Sequence, residues 1–381
     1  NANVAVGKDA LKANTTADNN TAVGIDALTA NTTGHSNVAI GANALLTSTT
    51  RLGNTAVGFN AAKVTDTTGI VAVGYKAMEA NTTGYDAVAV GASSLLANTT
   101  GHSNTAVGFS ALAANTTGAD NTAVGNSALL ANTTGTRNTV VGVDSSNQIT
   151  SGSDNTAMGF DALTRCTTGV SNTCIGKDAG DNITNGGYNT CLGIDSGTNI
   201  TQGSAHVMVG DSTTASAENS QNEIVIGVGI AGVGSNSFTF GKASNRVSND
   251  FDTNASWTRS SDINKKTNIE NTDLGLSFIN ELRPVTFNWK SNNEFPTHFK
   301  DYSETENHMD TETNLYGMIA QDVEKALDKV GHKNFGGWSE QEDGSQMLAQ
   351  SMFIYPLINA VKELSTTVDE LKQELSALKG E

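Results

Sequence analysis

Ser260-Ser261-Asp262-Ile263-Asn264-Lys265-Lys266-Thr267-Asn268-Ile269 is the stretch whose residue types and spacing could do chemistry. A serine hydroxyl beside a peptide bond, with a lysine five residues on (Ser261 to Lys266), can make a self-cleaving junction. The lysine would have to shed its proton first, because near its reference pKa of about 10.4 it is an ammonium and no base. Burial depresses that value, and desolvated lysines are the ones that activate nucleophiles. The plain alternative is that Ser260-Ser261-Asp262 is a polar linker or a helix cap, a common use of serine and aspartate.

The stretch divides a chain of 381 residues, long enough for two or three domains. Residues 1–250 carry 17 Asp+Glu against 10 Lys+Arg, and the other 131 carry 22 against 12, so the net charges of −7 and −10 make up the −17 of the whole. That balance argues against a nucleic-acid partner, which requires a basic stripe. No apolar run approaches the ~18 residues of a membrane-spanning helix, so no membrane insertion is expected. The chain opens at Asn1 with no charged and then apolar leader, which reads as a piece of a longer polypeptide without a signal peptide. Cys166, Cys174 and Cys191 are too few for a disulfide scaffold and lack metal-ligand spacing, which suits a reducing cytoplasm. No cofactor and no metal are expected.

N-terminal to the junction the sequence repeats. Glycines recur at 7, 24, 41, 58, 74, 91, 108, 125, 142, 159, 176, 193, 210 and 227, every interval being 17 except the 16 from Gly58 to Gly74. Disordered chains are also poor in aromatics, but they do not keep such an apolar register. Each unit reads Asn-Thr-Ala-Val-Gly, two variable residues, Ala-Leu and an Asn-Thr-Thr-Gly corner, clearest at Asn104–Gly108 and Asn115–Gly118. The residue before the glycine is bulky (Val23, Ile40, Val107, Met158, Leu192), and the one two before it is small or apolar (Ala22, Ala106, Val140, Cys174). Adjacent strand residues point to opposite faces, so this pattern predicts a strand buried on both sides. A lone solenoid buries only its inner face, so the outer one is expected to pack on copies of itself. Ala27-Leu28 and its equivalents supply a second inward knob, and the Asn, Thr and Gly corners are expected to take the turns and any left-handed backbone. Seventeen residues are too few for a helix-pair repeat; one β-coil per repeat, stacked at ~4.8 Å, gives a rod of roughly 60 Å.

Several side features have plain readings. The Asn-x-Thr triplets at Asn14, Asn31, Asn81, Asn98, Asn115 and Asn132 are taken as corner chemistry rather than glycosylation sites. Cys174 and Cys191, one period apart, are taken as stacked small hydrophobes. His35 and His102 are taken as solvated corner residues, and Phe59, Tyr75, Phe109 and Phe160 as corner caps rather than a sugar-binding ladder. After Gly210 the corner motif stops; Glu223–Gly227 and Ser237–Gly241 read as closing strands, and Ala243–Arg259 as the taper of the rod. The tail Ile354, Leu357, Val361, Leu364, Val368, Leu371, Leu375, Leu378 alternates spacings of 3 and 4, a heptad seam. Gln321–Leu327 reads as a short amphipathic helix.

The recurring Asn-Thr-Ala-Val-Gly and Asn-Val-Ala-Ile-Gly blocks resemble the left-handed parallel β-roll of trimeric autotransporter adhesin heads and related phage tail-fibre repeats. Four C-terminal blocks resemble the intramolecular chaperone of endosialidases, phage tail fibres and spikes, also carried by the myelin regulatory factors. They are Ser261-Asp262 with Lys266 and Ile269, Leu274–Lys290, Tyr316–Val323 and Tyr355–Leu364. This resemblance implies autoproteolysis by a Ser-Lys dyad between Ser260 and Ser261. Ser261 would be the nucleophile, Lys266 the general base and Asp262 an orienting group. Lys265 stands where relatives often have a hydrophobic residue, which leaves it as the alternative base.

The expected fold is mainly β: a homotrimeric left-handed parallel β-roll, or β-solenoid, over 1–241, a junction over 242–260, and a small α+β chaperone domain over 261–381 that ends in a trimeric coiled coil at about 354–379. The expected function is that of a phage tail fibre for host attachment, assembled in the host cytoplasm and resident in the virion. Its partners would be two further copies, upstream tail proteins and a host cell-surface receptor, glycan or protein. It would be an enzyme only as a single-turnover self-cleaving serine peptidase. The rival is a bacterial trimeric adhesin head or ice-binding solenoid with a retained trimerisation domain. An adhesin calls for a membrane-anchor barrel and an ice-binder for a flat Thr-x-Thr face, and here the threonines are adjacent corner pairs. A dedicated hydrolase is disfavoured because 1–250 shows no His/Asp/Glu cluster in sequence.

Overall fold

A computed structural model describes residues 2–243, 245–252, 263–307 and 309–380. The chain divides into two compact units, Asn1–Ser260 and Ser261–Glu381.

The first unit is a parallel solenoid. Thirteen strands of three residues each, from Val4–Val6 to Val207–Val209, stack in sequence order and in register, so that Thr105↔Thr122, Ala106↔Ala123 and Val107↔Val124 pair directly. Each backbone amide of a strand bonds the next coil up or down, as in Thr105 N–H to Asn121 O at 2.8 Å and Gly108 N–H to Val90 O at 2.8 Å. The one-residue deletion between Gly58 and Gly74 is absorbed in the corner, and Val57 still pairs with Val73.

The repeated glycine is required twice over. Gly24 sits at φ +136°, and a Cβ there would come within 2.6 Å of the Gly41 carbonyl oxygen, since consecutive coils pass backbone against backbone at this column. The corners do carry left-handed backbone, as at Asn19 (φ 58°), Gly53 (φ 69°) and Gly69 (φ 75°), but they do not carry all of it. The Asn-Thr-Thr run itself is not left-handed, whereas residues two and four after the repeated glycine are, including buried leucines such as Leu112 at φ 53° and Leu163 at φ 52°. Leucine rarely adopts this conformation, and it persists only where packing over-determines it. Here the turn drives the leucine side chain into the core, where it is fully buried.

Three coils use a different core of similar volume. Val140, Cys174 and Cys191 replace the inward alanine; Ser146, Gly180 and Gly197 replace the leucine; Ile149, Ile183 and Ile200 replace the corner asparagine. A side chain on Gly180 would lie 2.6 Å from the Cys174 sulfur, so the small residue makes room for the larger one. The three thiols are free and buried. Burial pushes Cys166 up to about 11, and the adjacent Cys191 thiol together with burial holds Cys174 well above the usual range. They act as hydrophobes.

Two columns of asparagine run inside the rod, a feature the corner reading missed. At the turn before each strand, Asn138 donates its backbone N–H to Asn121 Oδ1 (3.0 Å) and its Nδ2 to Gly152 O (2.9 Å), while its own Oδ1 accepts from Asn155. The second column joins the triplet asparagines, Asn132 to Asn115 to Asn98 to Asn81, by side-chain amide bonds of 2.7–2.9 Å. Asn31, Asn81, Asn98, Asn115 and Asn132 have no exposed surface, so a glycan has no access to them.

In the single chain the outer strand face is open, the face expected to pack on further copies. Alanine at the strand centre is sealed, whereas Ile40, Val107, Met158 and Leu192 remain 36–45 % exposed. Phe59, Tyr75, Phe109 and Phe160 do not cap corners; they stand half exposed, with Phe59 stacked on Tyr75 at 5.6 Å. His102 is not simply solvated but stacks on Tyr85 at 4.9 Å. The closing strands are β14 (Ile224–Val228) and β15 (Ser237–Lys242), and the sheet runs past Gly241 into β16 (Asn245–Asp250), which pairs antiparallel with β15. That reversal ends the parallel stack.

Asn138→Ala would leave the Asn155 amide and the Gly152 carbonyl unpaired in the core. Loss of about 1–3 kcal/mol of stability is expected, read as a lowered denaturant midpoint with unchanged slope.

Candidate functional site

Among the described residues the second unit contains α1 (Leu276–Ile279), β17 (Val285–Phe287), β18 (Leu315–Gly317), α2 (Ala320–Lys329), β19 (Trp338–Glu340), β20 (Gln346–Leu348) and α3 (Ile354–Lys379). Its core is Leu274, Phe278, Val323, Ala326, Leu327 and Phe353. Phe278, Phe335 and Phe353 form an aromatic cluster with centroids 5.1–6.3 Å apart. α2 is amphipathic as its sequence requires, burying Val323, Ala326 and Leu327.

Three of the four C-terminal blocks meet here. Val285–Phe287 of one pairs antiparallel with Leu315–Gly317 of the next, and Arg283 holds Asp322 at 2.6 Å. That bond keeps the Asp322 carboxyl below its usual range. The third block, at the start of α3, packs on α1, and Pro356 and Ala360 are the buried residues of that helix.

The remaining block is the one in which the chemistry is expected. Ser260, Ser261 and Asp262 lie outside the described residues. A single 3-10 turn, Ile263–Lys265, follows them, and Lys266 donates its backbone N–H to Ile263 O at 3.1 Å. Lys266 is exposed in the single chain.

Residues 271–276 join this block to the core, and they are fastened by side chains that sequence reading passed over. Glu363 Oε2 accepts the Leu276 N–H at 2.7 Å, at the N-terminus of α1. Asn359 Nδ2 donates to Thr272 O and Leu274 O, each at 3.2 Å. His332, after α2, bonds Asp273 and holds its carboxyl below the usual range. Any side chain at Gly275 would collide with Glu363. Asn359 and Glu363 are off the heptad seam, and that offset was the available signal.

In the solenoid the stack also makes a pair invisible in sequence. His206 and Glu223 occupy the asparagine column at its C-terminal end, both fully buried. His206 accepts the Glu223 backbone N–H on Nδ1 (3.2 Å), which places its proton on Nε2, facing Ser220 O at 2.8 Å. The Glu223 carboxylate accepts from Ser216 N–H and from the Ser216 hydroxyl at 2.6 Å. With every polar contact internal, this pair is structural. Among the described residues no group of three His, Cys, Asp or Glu is placed to hold a metal ion, and no helix is long and apolar enough to cross a membrane.

Residues 261–332 match the family model described as chaperone of endosialidase. The match starts at Ser261, where the second unit starts, and ends at His332. No curated protein and no solved structure matches the chain.

Burial lowers the pKa of His206, outweighing the opposing pull of Glu223. The unfolded chain therefore takes up this proton first, so the stability contributed by neutral His206 is complete above about pH 6.5 and declines as pH falls below that. His206→Asn, which restores the column, is expected to abolish the acid-side loss in solenoid unfolding followed from pH 7.5 to 5.

Proposed function

We propose that the chain is a segment of a homotrimeric phage tail fibre whose second unit gathers three copies, sets their register and then separates by cutting the Ser260–Ser261 bond. The observation that carries this reading is the endosialidase-chaperone match beginning at Ser261, directly after a stacked β-solenoid. Two uncovered apolar surfaces support the trimer. One is the outer ladder of the solenoid, with Val107 and Met158; the other is the α3 seam, where Val361, Leu364, Val368 and Leu371 are all about half exposed. Parallel pairings across chains are non-local and slow to nucleate, so a coiled coil that collects three chains first would fix the register. Removing it afterwards leaves the fibre held by its unfolding barrier.

In the chemistry this implies, the neutral Lys266 amine takes the Ser261 hydroxyl proton while Oγ attacks the Ser260 carbonyl carbon. The C–N bond breaks, the proton passes to the departing Ser261 nitrogen, and an ester joins Ser260 to Oγ. Water then hydrolyses that ester, leaving a carboxylate at Ser260 and restoring the hydroxyl. Asp262 orients the serine. Lysine becomes a base only when desolvated, and Lys266 is exposed in one chain; assembly would supply its burial, making cleavage a report on correct folding. The fibre would act in the virion, attached to upstream tail proteins and presenting its shaft to a glycan or protein receptor on the host.

Intact mass under denaturing conditions tests the reaction. Wild type is expected to give fragments 1–260 and 261–381, and Ser261→Ala a single whole chain. Lys266→Ala should be slower by about 10²-fold or more, with Lys265→Ala close to wild type. Val368→Asp, which breaks the seam, should leave the monomer uncut. A wild-type trimer that stays whole would reduce the second unit to a retained trimerisation domain.

A further inference from the structure

We infer that the corner around Phe59 is a binding site for a neutral saccharide, with the Phe59 ring as the platform for the apolar face of one sugar. It rests on the reading of the shaft as receptor-binding and is independent of the self-cleavage.

The residue after the repeated glycine is not part of the strand. The strand ends at Val57, Gly58 lies at φ +138° and Asn60 at φ 56°, so Phe59 stands at a bend of the coil. The residue before the glycine is bulky and apolar in every coil, as a face for further copies requires. The residue after it is not, because Lys8, Asn126, Lys177 and Asp211 interrupt that column. The core of a protein interface is depleted in charge, so the rings in this column call for a different employment.

Two of those rings occupy consecutive coils. Phe59 and Tyr75 stack with centroids 5.6 Å apart and planes 14° apart, and both stay about half exposed. Lys76 holds its ammonium 5.7 Å from the centre of the Tyr75 ring. Tyr75 lies one coil beyond Phe59 and covers one of its faces, so the other face turns toward the preceding coil, where the same position is Ala42. Ile25, one coil further back, is exposed again. At ~4.8 Å per coil, Ile25 and Phe59 stand roughly 10 Å apart, and the notch between them is floored by a methyl group.

Beside the notch the next column carries a line of polar groups. Asn43 donates Nδ2 to Asn60 Oδ1 at 2.9 Å, Asn60 donates Nδ2 to Glu79 Oε1 at 2.6 Å, and Glu79 Oε2 meets Lys76 at 3.2 Å. Each is held in place by its neighbours, which lowers the ordering cost of binding. A pyranose has an apolar face of C–H groups and a rim of hydroxyls that both donate and accept. Its C–H groups would meet the negative face of the Phe59 ring, and its hydroxyls Asn43 at the end of the polar line. The Lys76 and Glu79 charges cancel, and Asp26, in the same column beside Ile25, disfavours an acidic sugar. From Ile25 to Tyr75 the patch spans four coils, roughly 15 Å, too small for the ~800 Å² per partner of a stable protein interface.

Purified wild-type protein would be screened on immobilised oligosaccharides of neutral hexoses, N-acetylhexosamines, uronic acids and sialic acid, and its Kd for the best of them measured by titration calorimetry. Binding to a neutral oligosaccharide is expected. Phe59→Ala should weaken it about tenfold or more, Asn43→Ala about threefold or more, and Phe59→Trp should retain it. Phe160→Ala, which removes a ring elsewhere in the same column, should match wild type. Saccharide binding that Phe59→Ala leaves unchanged would overturn the inference and leave a glycan receptor standing. A wild type that binds no saccharide would overturn the inference and the glycan receptor together, and binding confined to acidic sugars would overturn the inference alone. If Phe59→Ala changes the oligomeric state measured by light scattering, the ring belongs to the contact between copies and the inference falls.

Discussion

Everything in the first unit depends on how closely one coil can approach the next. At the repeated glycine the carbonyl of one coil lies where a side chain of its neighbour would have to be, and this contact recurs up the stack. Only glycine meets both the steric and the dihedral requirement. Once coils are seated at that spacing, the strand amides pair up and down the rod, and the asparagine columns fall into register. A column of this kind is self-consistent only as a whole: each amide satisfies the carbonyl of one neighbour and is satisfied by the other. The same geometry puts buried leucine in a left-handed conformation, a strain that the packing of its side chain offsets.

The rod interior shows how such a stack tolerates variation. The three coils with Ile149, Ile183 and Ile200 give up a corner asparagine, and the changes at two other positions compensate in volume. Ile70 and Ala87 interrupt the other column near the single 16-residue interval without disturbing strand register. His206 and Glu223 close it with titratable groups.

The second unit is organised differently, around a small aromatic core with one long helix that is half committed to its own chain. The committed half is tied to the residues that follow the candidate dyad, and the other half offers a seam with nothing of its own chain to cover it. Both units thus end in apolar surface that a single copy leaves exposed, the outer ladder in one and the seam in the other.

The spacing of the glycines alone determined the period, the in-register parallel strands and the pairing of Cys174 with Cys191, because a fixed repeat length leaves one way to stack backbones. The heptad seam determined α3, and the Ser261–Lys266 spacing drew attention to the segment that the endosialidase-chaperone match then covered. Other features were decided only in three dimensions. Asparagines that read as corner residues turned inward, because a hydrogen-bond partner one coil away keeps such an amide paired when it is buried. His206 met Glu223 across 17 residues of chain, and β16 reversed direction where the repeat lapsed. Asn359 and Glu363 found Thr272, Leu274 and Leu276 across 85 to 87 residues. No sequence pattern marks such pairs, since each residue's partner is set by how elements pack and by nothing in its neighbours along the chain.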